Sequence, residues 1–240
     1  MFIPFFNNEI ILQFEGFENL QELDWEKYRQ KYGDSMRLDR ILEKENDSVN
    51  NYRACKQPDV LMLFYLFSSD ELIGMFRQMG YNLNPSFIPK NIDYYNKITS
   101  HGSTLSQVVF SWVFSRSDRK GSWNSFKSAL MSDFGDVQGG TTSEGIHLGA
   151  MAGTIDIIQR CYTGLEIRDD VIWLNPCLPE GIREIRLSFC YRSHWINLNI
   201  KSDRLVVNFS KGWNGPVEMN IRGIRRIFES NDISEFDIQN

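Results

Sequence analysis

Two stretches combine glycine, hydroxyl side chains and histidine at the start of an apolar-periodic segment. Gly139-Gly140-Thr141-Thr142-Ser143-Glu144-Gly145-Ile146-His147 places three glycines and three hydroxyls ahead of Ile146, Leu148, Met151, Ala152, Ile155 and Ile158, which recur at helical spacing. Such a loop lets backbone N–H groups converge on a small anion, and the helix it feeds adds the positive end of its dipole. His147, in the first turn, supplies one more hydrogen bond to the same guest. His101-Gly102-Ser103-Thr104, ahead of a helical run over 108–114, is a second cup of the same kind. Two cups in one helical region suggest an oxyanion such as phosphate gripped from both sides. The plain alternatives are a glycine-rich turn capped by Thr142 or Ser143, and an ordinary N-cap at Ser103 or Thr104.

Lys56-Gln57, just ahead of the most apolar segment, offers an ammonium and an amide with no local acidic partner except Asp59. These groups suit a sugar clamp, since hydroxyls are matched by such donors; a solvated helix start is the alternative. Glu144 is the one carboxylate inside the first cup. It has the chemistry of a general base, but a carboxylate beside a phosphate site also repels the phosphate. No Gly-x-Ser-x-Gly, Walker A, His-Glu-x-x-His or Cys-x-x-Cys pattern occurs, and no metal or cofactor is expected. His194 falls in a strand-like run and reads as structural.

The elements that must carry these residues fall into two kinds. Asp24 caps a helix over 25–31 that Gly33 ends, and a second covers 36–44. Pro58 opens the all-apolar run 60–67, expected to be a helix buried on every side. Further helices are expected from about 69, 104, 119 and 145, with 82–99 between them as an irregular connector. A short strand is expected over 9–14. At Gly164 the hydrophobic period changes to two. Short alternating runs over 165–168, 171–174, 185–191, 195–200, 205–209, 217–221 and 224–228 predict a small antiparallel sandwich or jelly roll. The expected domains are therefore helices over 1–163 and a β-sandwich over 164–240.

The chain has 240 residues, 42% apolar and 13% aromatic, which suits a folded globular protein. A net charge of −5 argues against nucleic acid as the main partner. Four dispersed cysteines lack metal spacing and read as reduced side chains of a cytoplasmic protein. The opening residues lack a basic, long-apolar leader, and no span reaches membrane length. The apolar start Phe2-Ile3-Pro4-Phe5-Phe6 instead suggests a cut through a larger fold.

Three ordered motifs, Lys56-Gln57-Pro58-Asp59-Val60, Thr99-Ser100-His101-Gly102-Ser103-Thr104-Leu105-Ser106 and Gly145-Ile146-His147-Leu148-Gly149-Ala150-Met151-Ala152-Gly153-Thr154, resemble the C-terminal part of glycoside hydrolase family 65. The family includes maltose, trehalose and kojibiose phosphorylases. Gln13-Phe14-Glu15-Gly16-Phe17 and Asp39-Arg40-Ile41-Leu42 look similar upstream. The resemblance implies the last helices of an (α/α)6 barrel followed by a small β-domain. It implies glucosyl binding by Lys56 and Gln57, and phosphate binding by Ser103, Thr104 and His147. The 103–104 pair is Ser-Thr where several members have Ser-Ser. The family's general acid, a glutamate earlier in the barrel, has no counterpart in this chain.

The activity implied is inverting phosphorolysis of an α-glucoside, with phosphate as co-substrate and glucose 1-phosphate plus a free sugar as products. Two alternatives stand beside it. One is an α-glucoside hydrolase of trehalase or kojibiase type with Glu144 as base. The other is a non-catalytic remnant that only binds sugar or associates with a missing N-terminal half. Disaccharide, phosphate, and that missing half or a second copy of the chain are the expected partners.

Overall fold

A computed structural model describes residues 2–33, 36–57, 59–135, 143, 145–210 and 215–239. The chain divides into two compact units, Met1–Thr154 and Ile155–Asn240. Pro58, Gly139–Thr142 and Glu144 lie outside the described residues.

The first unit is helical apart from a ribbon of β1 (Phe5–Phe6) and β2 (Ile10–Ile11), shorter than the strand expected over 9–14. Helix α1 (Trp25–Tyr32) begins where Asp24 accepts from the Lys27 N–H and stops at Gly33. Helix α2 (Leu38–Lys44) buries Leu38 and Leu42 against Leu23, Tyr28 and Met36. Helix α3 (Met62–Leu66) departs from the expectation of burial all round: Leu61 and Phe64 are fully buried, but Leu66 is 62% exposed. Its Tyr65 ring meets Trp112 at 5.3 Å. A single-faced contact of so short a helix leaves its far side open. Helix α4 (Ser69–Gln78) starts where expected, with Ser68 and Glu71 forming a reciprocal capping box.

The connector expected over 82–99 is instead helix α5 (Phe87–Ile98). Pro89 sits in its first turn, where no intrahelical N–H is needed. The inward stripe includes Asn91 and Tyr95 among Phe87, Ile88, Ile92 and Ile98, so apolar periodicity alone misses it. Asn91 is fully buried and satisfied. It accepts from the Ile11 N–H at 2.8 Å and donates to the Glu9 carbonyl at 2.8 Å, while Tyr95 donates to the Ile11 carbonyl at 2.6 Å. These two polar side chains tie β2 to α5.

Helices α6 (Thr104–Phe114) and α7 (Arg119–Leu130) pair through Ser111 and Ser122, each hydroxyl donating to the other residue's carbonyl. Helix α8 (Leu148–Asp156) packs closely on α6: a Cβ at Gly153 would stand 2.6 Å from Val108 Cγ1. Glycine at 153 thereby lets the two helices approach closely. No helix among the described residues is long and apolar enough to cross a membrane.

The second unit opens with a π-helical turn, Ile157–Tyr162, and continues as eight strands. They are β3 (Glu166–Arg168), β4 (Val171–Leu174), β5 (Glu184–Tyr191), β6 (His194–Lys201), β7 (Arg204–Phe209), β8 (Val217–Ile221), β9 (Ile224–Phe228) and β10 (Ile233–Asp237). Two four-stranded sheets result, β10-β7-β6-β5 and β3-β4-β8-β9. Alternation points Ile196, Leu198, Ile200, Leu205, Val207 and Phe209 inward from the first, and Phe209 stacks on Phe228 of the second at 4.8 Å. The sandwich is not wholly antiparallel: β4 and β8 run parallel, because the intervening β5–β7 belong to the other sheet. The turns Asp169-Asp170, Arg192-Ser193 and Arg222-Gly223 carry paired positive φ angles, which match tight hairpins to strand twist.

Candidate active site

Three separate chain segments are zipped side by side by backbone bonds. Cys55 N–H donates to Ile98 O, Ser100 N–H to Cys55 O, and Met36 N–H to Ser100 O, at 2.8, 2.8 and 2.9 Å. The result places Arg37, Lys56 and Gly102 next to one another. A Cβ at Gly102 would stand 2.9 Å from Met36 O and 3.3 Å from Lys56 Cγ, so any larger residue would push these segments apart.

They enclose a cavity of about 530 Å³ lined by Gln13, Arg37, the 54–57 segment with Asp59, Gly102, Ser103, Thr104 and His147. All five residues singled out as sugar and phosphate contacts, Lys56, Gln57, Ser103, Thr104 and His147, therefore share one cavity. Glu144 is not among the described residues.

Around Lys56 and Gln57, neither cationic nor amide group stands alone. Arg37 grips Asp39 bidentately at 3.1 and 2.9 Å, and Lys56 Nζ lies 3.9 Å from the same carboxylate. Chiefly through the Arg37 bonds, Asp39 is held down at about 2. Gln57 donates to Asp59 at 3.2 Å. The local sequence shows Asp59 as the one acidic neighbour, whereas Asp39 also reaches Lys56 once α2 has folded. Gln13 donates to Cys55 Sγ at 2.8 Å, and burial pushes that thiol up to about 12, so it is neutral at physiological pH.

At the α6 end of the cavity, Ser103 occupies the N-cap position but its side chain makes no capping bond. Thr104 begins the helix and is largely buried. His101 behaves otherwise than the cup reading expects. Held at φ 47°, its Nδ1 pairs with Ser106 Oγ at 2.8 Å and its ring packs on Phe110. It lines a separate polar cavity with Arg29, Lys97 and Gln107. The left-handed backbone at 101 turns that side chain away from the one at 103.

His147 sits just ahead of α8, not within its first turn; its carbonyl accepts from Ala150 and Met151. Its own N–H is taken by Asp133 Oδ2 at 2.9 Å, and its Nδ1 meets Asp133 Oδ1 at 2.5 Å. The side-chain bond to His147, then the backbone one, holds the Asp133 carboxyl below its usual range. Sequence reasoning misses Asp133, because no periodic or motif signal links it to His147. It also misses Arg37, whose place follows from the pairing of 36 with 100. Among the described residues, no three His, Cys, Asp or Glu side chains gather as a metal site.

A helical unit presenting hydroxyls, imidazole, amide and ammonium to one cavity, followed by a β-sandwich, has the makings of a carbohydrate-active enzyme domain pair. Residues 1–156 match the glycosyl hydrolase family 65 central catalytic domain and residues 165–225 the family's C-terminal domain. The chain belongs to glycosyl hydrolase family 65. It is 52% identical over 93% of its length to an uncharacterized glycosyl hydrolase of Mycobacterium tuberculosis, of which it covers 17%. It is 32% identical over 88% of its length to the trehalose 6-phosphate phosphorylase of Lactococcus lactis, of which it covers 27%. A solved structure from the human microbiome, provisionally named a kojibiose phosphorylase, superposes with a TM-score of 0.70 at 22% identity, over 97% of this chain and 28% of that one. The chain thus spans between about a sixth and somewhat over a quarter of the length of these relatives. The fold is that of the last helices of an (α/α)6 barrel followed by the family's β-sandwich domain.

Proposed function

We propose that this chain carries the glucosyl- and phosphate-binding part of the active site of an inverting disaccharide phosphorylase acting on α-glucosides. Lys56 and Gln57 hold the glucosyl hydroxyls; Ser103, Thr104 and His147 hold inorganic phosphate. The observation that carries the reading is that these five side chains line a single cavity. In the reaction, a phosphate oxygen attacks the anomeric carbon from the face opposite the leaving sugar. The C1–O bond to that sugar breaks as a carboxylic acid protonates its oxygen, giving glucose 1-phosphate of inverted configuration. The proton donor is not among the residues assigned here. Binding without turnover is therefore the expected behaviour of residues 1–240 alone, since positioned proton transfer contributes roughly 10²–10⁴-fold.

The test is calorimetric titration of the chain with inorganic phosphate and with glucose, and an assay with maltose, trehalose, kojibiose and trehalose 6-phosphate, with and without phosphate. Phosphate should bind, and His147→Ala should weaken it about 10–100-fold, as expected for losing a hydrogen bond to a charged group. Unchanged phosphate affinity in His147→Ala overturns the reading. Phosphate-independent release of glucose, lost in Glu144→Gln, establishes the hydrolase instead.

A further inference from the structure

We infer that Asp133 is a positioning residue for phosphate capture, acting by gripping His147 at both its backbone N–H and its ring Nδ1. The inference rests on the phosphate role given to His147 above. The two Asp133 oxygens divide the work: Oδ2 accepts the backbone N–H at 2.9 Å and Oδ1 meets Nδ1 at 2.5 Å. Two bonds from one carboxylate fix both the start of α8 and the plane of the imidazole. The carboxylate is well shielded, with 12% of its side chain exposed, while the ring it holds is 30% exposed and lines the cavity. Nε2 is then the ring atom left to meet a guest.

The carboxylate also fixes which ring nitrogen faces a guest. A neutral imidazole that donates Nδ1–H to Asp133 presents a bare Nε2 lone pair, which repels a phosphate oxygen. A protonated ring carries an N–H on each nitrogen, so it satisfies Asp133 and phosphate at once. Asp133, held below its usual range by these bonds, accepts the Nδ1–H in either form. Ser103 and Thr104 contribute hydroxyls beside it, whereas His147 needs its carboxylate partner to hold the ring in place.

A purely structural cap would behave differently, and a double-mutant cycle separates the two. Phosphate affinity is measured for the 240-residue chain and for Asp133→Asn, His147→Ala and the double variant, alongside long-range ¹H–¹⁵N spectra of the His147 ring. Asp133→Asn should weaken inorganic phosphate about tenfold and abolish the Nδ1–H signature of the bound ring. In the His147→Ala background the same change should have almost no further effect. An equal loss in both backgrounds overturns the inference, because Asp133 then acts through the fold. Wild-type binding that Asp133→Asn leaves intact also overturns it, while the functional reading survives. No phosphate binding by the wild-type chain sinks that reading and this inference together.

Discussion

The helical unit and the β unit handle polar groups in opposite ways. In the helical unit, Arg37, Lys56, His147 and two hydroxyls converge on one cavity, where Asp39 partners Arg37 and Lys56 and Asp133 partners His147. In the sandwich the inner faces are apolar, with Val207, Phe209, Val217, Met219 and Phe228 fully buried, and ion pairs such as Arg225–Glu218 lie at the surface. The one imidazole turned inward there, His194, donates from Nε2 to the Gly215 carbonyl and packs on Phe209. The contrast follows from geometry. Strict alternation in a two-sheet sandwich fills the interior with side chains of one kind. Helices joined by loops instead bring N-termini and loop side chains to a common gap.

The largest expected effect tests whether the sandwich is only a packed core. Phe209→Ala removes the ring stacked on Phe228 and should cost about 3–5 kcal/mol in urea unfolding. Phosphate affinity of the folded variant should stay at the wild-type value; a parallel drop would break the separation of roles.

Gly102→Ala probes the other side. Its Cβ would stand 2.9 Å from Met36 O, and the strain should cost about 1–3 kcal/mol. Here, unlike at Phe209, phosphate and glucose binding should fall with it, because Arg37, Lys56 and Ser103 move apart. Retained binding would show that the close approach does not shape the cavity.

His194→Ala should cost about 1–2 kcal/mol, through the bond lost to Gly215 O, with no change in ligand binding. Weaker ligand binding with the fold intact would place part of the site in the wrong unit.

The smallest effect concerns pH. Asp39 is depressed to about 2, so its ionised form is favoured by folding. That contribution is complete above its unfolded value of about 4 and disappears as pH falls through the folded value. With 38% of its side chain exposed, solvent screening limits it to less than about 1 kcal/mol. Melting temperature followed between these pH values should decline more steeply in the wild type than in Asp39→Asn. Identical slopes would remove Asp39 from the account of acid stability.

Much of this architecture was legible before folding, because the signals are local. Strands β4, β8 and β9 fall where alternation places them, and Asp24 caps the helix its position announces. The five residues Lys56, Gln57, Ser103, Thr104 and His147, which line one cavity, stand within the ordered motifs. Other elements escaped, and two of them show why. Helix α5 hides its stripe behind buried Asn91 and Tyr95, and β10 turns Ser234 inward beside Phe236, which blurs the period of two.

The amino-acid order thus determined the two kinds of element, many of their positions and the chemical types available for a site. Tertiary structure decided which of those types meet. Asp133 reaches His147 across 14 positions, Gln13 reaches Cys55 across 42, and Asn91 reaches Ile11 across 80. It also decided that His101 leaves the cup its neighbours form, since a left-handed φ at one residue redirects its side chain. Periodicity and capping act within a turn or two of chain, whereas a binding cavity is made of contacts between segments that only packing brings together.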